Sequence, residues 1–234
     1  MNKLTWSLSV FFPAYNEEGN LENTVLSAKK VLEGAAEEWE IIIVDDGSKD
    51  KTPEIASKLA EKDKRIKVVT HKPNKGYGGA LKSGFSKAIY PWIAFSDSDG
   101  QFDFSEIKKF LPLAADYDLI LGYRLNRADP FVRKVYTFFW SRLLPKILWG
   151  LDVRDYSCGF KLIKKSVYNA VLPLEGEEKV TQIELLVKAK RLGFKFAEVG
   201  VHHYPRKSGN QTGANLKVVL RSIVDLYKLW KKLK

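Results

Sequence analysis

The first two-thirds of the chain repeats one unit: a short apolar run, a polar turn, then apolar residues at helical spacing. When a helix separates two strands, the strands pair side by side in parallel, so this rhythm predicts an α/β fold with a mainly parallel central sheet flanked by helices. Leu8-Ser9-Val10-Phe11-Phe12 predicts a buried strand ending at Pro13. Leu21, Val25, Ala28 and Leu32 mark a helix from about Glu18 to Glu33, with Asn16 as its cap. Further strands are expected over Glu40 to Val44, Arg65 to Thr70, Trp92 to Ser96 and Asp118 to Leu121. Helices are expected between them: one capped at Thr52 with Pro53 in its first turn, one over Gly76 to Ala88, and one from Ser105 through Leu111.

Beyond Gly122 the rhythm changes. An amphipathic segment from Phe131 to Leu151 precedes an irregular stretch, a helix over Thr181 to Leu192, a strand over Lys195 to Val201, and a basic closing helix over Ala214 to Leu233. No repeat, linker or low-complexity segment interrupts the chain, so residues 1–234 are expected to form a single domain. An apolar fraction of 45% and a charged fraction of 29% suit a globular chain and argue against disorder. The net charge of +11 favours anionic partners such as nucleotides, lipid phosphates or acidic membrane surfaces. Nucleic acid is set aside, because the basic residues are not interleaved with a recognised nucleic-acid motif. Part of the charge lies on Lys217, Arg221, Lys228, Lys231, Lys232 and Lys234, which also suits a plain solvated helix face. Cys158 is the only cysteine, so a reducing compartment is expected. The start of the chain lacks the apolar run of a signal peptide, and no stretch reaches the roughly 18–20 apolar residues of a spanning helix. The expected location is cytoplasmic, peripheral on the cytoplasmic face of a membrane.

In open α/β sheets, ligands bind beyond the carboxyl ends of the strands. Three polar clusters fall there: Pro13 to Glu18, Asp45 to Ser48, and Asp97 to Gln101. Asp97 and Asp99, two apart at a strand end, project to one side and repel unless a cation sits between them. Hard oxygen ligands suit Mg²⁺ or Mn²⁺, with a diphosphate completing the shell and Gln101 adding a neutral carbonyl oxygen. A calcium loop is excluded, since its glycine and closing glutamate would fall on Phe102 and Lys108. Asp45 and Asp46 offer acceptors for ribose hydroxyls or a base edge, or else form a plain tight turn. Tyr15 has the ring to stack on a base.

Together the clusters resemble the family 2 glycosyltransferases of GT-A (Rossmann-like) fold, and within them the dolichyl- or polyprenyl-phosphate sugar synthases. Pro13-Ala14-Tyr15-Asn16-Glu17-Glu18 resembles the first donor-binding loop, and Val44-Asp45-Asp46-Gly47-Ser48 the second. Asn74-x-Gly76-x-x-x-Ala80-x-x-x-Gly84 is similar to the intervening helix pattern, and Asp97-Ser98-Asp99-x-Gln101 to the metal motif. Gly122-Tyr123-Arg124, the stretch from Asp155 to Lys161, and Gln182-x-Glu184 stand where the family has acceptor-side residues. Arg206 and Gly209 match a late basic motif, but Gln211-Thr212 replaces its Ser-Lys pair, leaving less positive charge for a diphosphate.

The resemblance implies an inverting hexosyl transfer from a nucleotide sugar of the GDP-mannose or UDP-glucose type to dolichyl or polyprenyl phosphate. Residues 1–122 would form the donor half and 123–234 the acceptor half. Pro13, Tyr15, Glu17, Val44, Asp45, Asp46, Asp97, Ser98, Gln101 and Arg206 would contact the donor, and Asp97, Asp99 and Gln101 the metal. A lipid phosphate arrives ionised, so cations such as Arg124, Arg133 and Lys134 would position it without a base. A sugar or protein hydroxyl acceptor would instead need Asp155 or Glu184 as general base. A silent nucleotide-sugar-binding protein would not require the intact carboxylates. The aromatic segment 135–149 suits an interfacial helix, a core helix or a dimer contact.

Overall fold

The computed structural model describes residues 6–125, 143–206, 208 and 216–233. Its sheet has seven strands, β1 (Ser7–Ala14), β2 (Glu38–Asp45), β3 (Ile66–Thr70), β4 (Trp92–Ser96), β5 (Leu119–Leu125), β6 (Phe160–Lys164) and β7 (Phe196–His202), in the order β3-β2-β1-β4-β6-β5-β7. The pairs β1 with β2, β1 with β4, β2 with β3 and β5 with β7 are parallel, while β6 runs antiparallel to both β4 and β5.

Because successive strand residues face opposite sides, Val10 and Phe12 enter one core layer and Phe11 the other. One layer packs α1 (Leu21–Ala35), α2 (Thr52–Lys62) and two 3₁₀ turns (Phe104–Lys109 and Leu111–Ala115) on the sheet. The other packs α3 (Gly76–Lys87), α4 (Leu144–Trp149), α5 (Lys165–Ala170), α6 (Val180–Arg191) and the end of α7 (Leu216–Lys232). Gly84 permits the close approach of α3, since a Cβ there would lie 2.2 Å from the Phe11 ring. Gly84 therefore serves packing in this helix.

Several local expectations are corrected. The first helix begins at Leu21, because Asn16 takes φ 56° and its side chain accepts from Lys49 N instead. Thr52 lies inside α2, and its Oγ1 accepts from Glu17 N at 2.8 Å. The helix expected from Ser105 is a 3₁₀ turn capped by Asp103, whose carboxylate accepts from Ser105 N at 2.9 Å. The irregular stretch after Asp155 contains β6 and α5, neither of them foreseen. Of the segment 131–151, residues 131–142 lie outside the described residues, Arg133 and Lys134 among them. Its described end forms α4, with Leu144, Leu148 and Trp149 against the core and Ile147 exposed. Among the described residues, no helix is long and apolar enough to cross a membrane.

Candidate active site

β1 has β2 on one side and β4 on the other, so the chain changes direction of winding at β1 and a crevice opens beyond its carboxyl end. The three polar clusters predicted at strand ends meet here. Ser98 Oγ donates to Pro13 O at 2.6 Å, tying the β4 loop to the β1 loop. Asn16 N donates to Ser48 Oγ at 2.9 Å and ties the β1 loop to the β2 loop. Tyr15 is half-buried where β1 ends, whereas Val44 is fully buried in the core and brings only its backbone to the site.

Asp45 and Asp46 have separate surroundings. Asp46 Oδ1 meets His71 Nδ1 at 2.6 Å and accepts from Lys75 N at 2.8 Å, while His71 Nε2 lies 2.8 Å from Ser83 Oγ. A carboxylate only accepts, so His71 carries its proton on Nδ1. His71 was not singled out from sequence; its one signal is its place just past β3 on the ligand edge. Asp45 Oδ1 accepts from Ser48 N at 3.1 Å, but Asp45 Oδ2 is buried with no hydrogen-bond partner among the described residues. A buried acceptor without a donor is costly, and a ligand hydroxyl or N–H would satisfy it.

The β4 loop holds the densest negative charge. Tyr77 OH donates to Asp97 Oδ1 at 2.9 Å, and burial followed by the Asp97 charge holds the phenol well above its ordinary pKa, so it stays a donor. Asp97 lies against the backbone at Gly159, where an added Cβ would sit 2.0 Å from Asp97 Oδ2. That contact exists because β6 is antiparallel and starts on the same edge where β4 ends, with Asp97 N donating to Gly159 O at 3.1 Å. Asp99 Oδ1 accepts from Gln101 N at 3.0 Å. Burial, then the neighbouring Asp97 charge, pushes the Asp99 carboxyl up to about 7.

The residues present fit a divalent cation. Gln101 Nε2 donates to Tyr204 O at 2.9 Å, so the ligand atom this amide offers is its carbonyl oxygen. Among the described residues no three or more His, Cys, Asp or Glu form a metal cage. Two carboxylates and one amide therefore need oxygens from a ligand to complete a shell. Arg206, at the exit of β7, pairs with Glu17 through Nη2 and lies 3.9 Å from Asp99 Oδ2 through Nη1. Glu17 Oε2 also accepts from Asn20 Nδ2 at 2.8 Å. Arg206 and Asn20 thus both engage the Glu17 carboxylate.

The acceptor-side candidates are differently placed. Arg124 Nε and Nη2 donate to the two Asp155 oxygens at 2.7 and 2.8 Å, and Nη2 also reaches Ser157 Oγ at 2.8 Å. Burial alone would lower the Arg124 pKa, but the Asp155 carboxylate outweighs it and holds the pKa raised. Glu184 is fully buried, with Oε2 accepting from Glu175 N at 2.8 Å and Gly176 N at 2.6 Å, and Oε1 lying 2.6 Å from Lys188 Nζ. It holds the loop before α6. Gln182 likewise turns inward, accepting from the buried Lys161.

The Glycosyl transferase family 2 profile matches residues 9–172. The glycosyltransferase AglD of Haloferax volcanii is 33% identical over 208 residues, covering 85% of this chain and 33% of that protein. The undecaprenyl-phosphate 4-deoxy-4-formamido-L-arabinose transferase of Pectobacterium carotovorum is 30% identical over 219 residues, covering 91% of this chain and 64% of that one. The dolichyl-phosphate beta-glucosyltransferase of Dictyostelium discoideum is 29% identical over 215 residues, covering 83% of this chain and 65% of that one. The chain thus spans from a third to about two-thirds of the length of these relatives. A crystal structure of glucosyl-3-phosphoglycerate synthase from Mycobacterium tuberculosis, in complex with Mn²⁺, UDP and glucosyl-3-phosphoglycerate, superposes with TM-score 0.74 at 20% identity, covering 97% of this chain and 80% of that one. That likeness shows the GT-A fold. With the profile matched over more than half its length and the crevice built from the loops the profile spans, the chain belongs to glycosyltransferase family 2.

Proposed function

We propose that this chain is a metal-dependent hexosyltransferase acting from a nucleotide sugar on a polyprenyl or dolichyl phosphate, without a general base. One observation carries the donor side: Asp99 is buried beside Asp97, with Glu17 near, and this burial together with the crowded negative charge raises the Asp99 pKa to about 7. A bound Mg²⁺ or Mn²⁺ would supply countercharge for these carboxylates and for the leaving diphosphate. Asp97, Asp99 and the Gln101 carbonyl would hold it. Asp45, with its unpartnered oxygen, would take a hydroxyl or N–H of the nucleoside, and Asp46, held by His71 and Lys75 N, would fix the turn beside it. Arg206 would leave Glu17 for the diphosphate, which it suits by its planar fork.

On the acceptor side Arg124 contacts its neighbours among the described residues through Nε and Nη2, so Nη1 is the edge it would offer a phosphate, with Asp155 setting its orientation. The acceptor oxygen would form the new bond to the sugar's anomeric carbon as the bond to the departing diphosphate breaks, with inversion. A phosphate is already ionised, so no proton must be removed. The engagement of Asp155 by Arg124 and of Glu184 by backbone N–H groups supports this over a hydroxyl acceptor. The relatives named for undecaprenyl and dolichyl phosphate support it too. Arg133, which lies outside the described residues, would add a further cation for the acceptor at a membrane surface.

A thermal-shift screen of UDP- and GDP-sugars with and without Mn²⁺, followed by transfer assays on polyprenyl phosphate and on free glycans, tests the reading. The Asp99→Ala variant should lose cation-dependent donor binding and at least about 10²-fold in transfer. Transfer to glycans alone, abolished by Glu184→Gln, would favour the hydroxyl acceptor instead.

A further inference from the structure

Lys161 is one of the largest fully buried side chains, and it is charged. It is the second residue of β6, opposite Phe95 of β4 and Leu121 of β5, with its ammonium 5.3 Å from the Phe95 ring centroid. Leu162 and Ile163 fill the adjoining positions of the strand, so packing alone would take an aliphatic residue at 161. Its Nζ donates to Cys158 O and to Gln182 Oε1. Gln182 Nε2 in turn donates to Tyr77 OH at 3.3 Å, and Tyr77 OH donates to Asp97 Oδ1 at 2.9 Å.

The direction of this chain is forced from its far end. An ammonium has only donors, so the Gln182 carbonyl must face it and the amide N–H₂ must face Tyr77. The tyrosine oxygen then accepts, and its single proton is committed to Asp97. With Oδ1 held this way and Oδ2 against the Gly159 backbone, the Asp97 carboxylate is fixed in orientation from both sides. We infer that Lys161 and Gln182 are positioning residues for divalent-cation binding, orienting Asp97 through the Tyr77 hydroxyl. This rests on the proposed assignment of Asp97 as a metal ligand. Partners that orient a ligand in this way commonly tune metal affinity 10–100-fold.

The test is Mn²⁺ binding by the full chain, followed by the electron paramagnetic resonance of free Mn²⁺ in saturating UDP or GDP, alongside the melting temperature of each variant. Tyr77→Phe, which removes only the hydroxyl, should weaken Mn²⁺ about tenfold or more. Gln182→Glu keeps an acceptor for Lys161 and the side chain's size, but turns the tyrosine proton away from Asp97. It should weaken Mn²⁺ similarly, although its added negative charge alone would strengthen it. Lys161→Met combined with Tyr77→Phe should be no worse than either alone, because both break one relay. The inference is overturned if Tyr77→Phe and Gln182→Glu bind Mn²⁺ as the wild type does, or if they lose only melting temperature. Wild-type chain that binds no Mn²⁺ with either nucleotide would instead remove the metal assignment itself, and this inference with it.

Discussion

The crevice beyond β1, β2 and β4 and the patch before β6 and α6 are both rich in charge, but they treat it in opposite ways. In the crevice, short bonds such as Ser98 Oγ to Pro13 O fix the loops, while carboxylates stay crowded or unpartnered, as at Asp99 and Asp45 Oδ2. In the patch the charges are matched: Arg124 with Asp155, Glu184 with Lys188 and two backbone N–H groups. Residual imbalance, and not the presence of acids, marks the place where a charged ligand is awaited. A buried pair that has already neutralised itself belongs to the frame, or orients one group for another.

Removing a charge should therefore have opposite effects on stability in the two regions. The largest expected effect is in the patch. Arg124→Met takes the buried guanidinium away from the Asp155 carboxylate, leaving Ser157 Oγ still donating to it, and should cost about 3 kcal/mol in urea unfolding. An unchanged urea midpoint would erase the distinction between the regions. Next is Gly159→Ala, where the two meet: the new Cβ would displace the Asp97 carboxylate, and Mn²⁺ affinity should fall at least about tenfold. Asp99→Asn relieves the crowding, so the metal-free variant should melt roughly 2–4 °C higher than wild type at pH 8 while losing its response to Mn²⁺. A lower melting temperature would place Asp99 with the frame.

The smallest effect is one of pH. The Asp99 pKa is raised in the folded chain to about 7 from the ordinary aspartate value of 3.8, so between those values the folded chain holds a proton that the unfolded one has released. Metal-free stability should decline as pH rises across that window, then level off. Below about 7 the cation must displace this proton, so the melting shift given by Mn²⁺ should be larger at pH 8 than at pH 6. Differential scanning calorimetry at both pH values checks it, and in Asp99→Asn the difference should vanish.

The parallel half was legible because buried parallel strands are continuous apolar runs and their ligand loops follow directly. Trp92–Ser96 is found where its residues predict it. β6 was not legible, since Phe160-Lys161-Leu162-Ile163-Lys164 carries two lysines and becomes a strand only through pairing on both sides. Asp97 and Asp99 could be named from spacing, but Asp155 and Glu184 look equally catalytic in sequence. Their partners, Arg124 at 31 positions' separation and the N–H groups of residues 175 and 176, are set by tertiary structure. The roles of His71 and Lys161 were not legible, because they depend on what faces them across the sheet edge.

Gln101 and Tyr204 are joined twice, with Tyr204 N donating to Gln101 O at 2.9 Å and Gln101 Nε2 to Tyr204 O at 2.9 Å. Two residues further along that strand exit stands Arg206. The β4 loop and the strand exit that carries Arg206 are thus tied to each other by a reciprocal pair of hydrogen bonds. If the proposed cation and diphosphate bind at these two places, thermodynamic reciprocity requires that whatever factor one lends the other's affinity be returned in full.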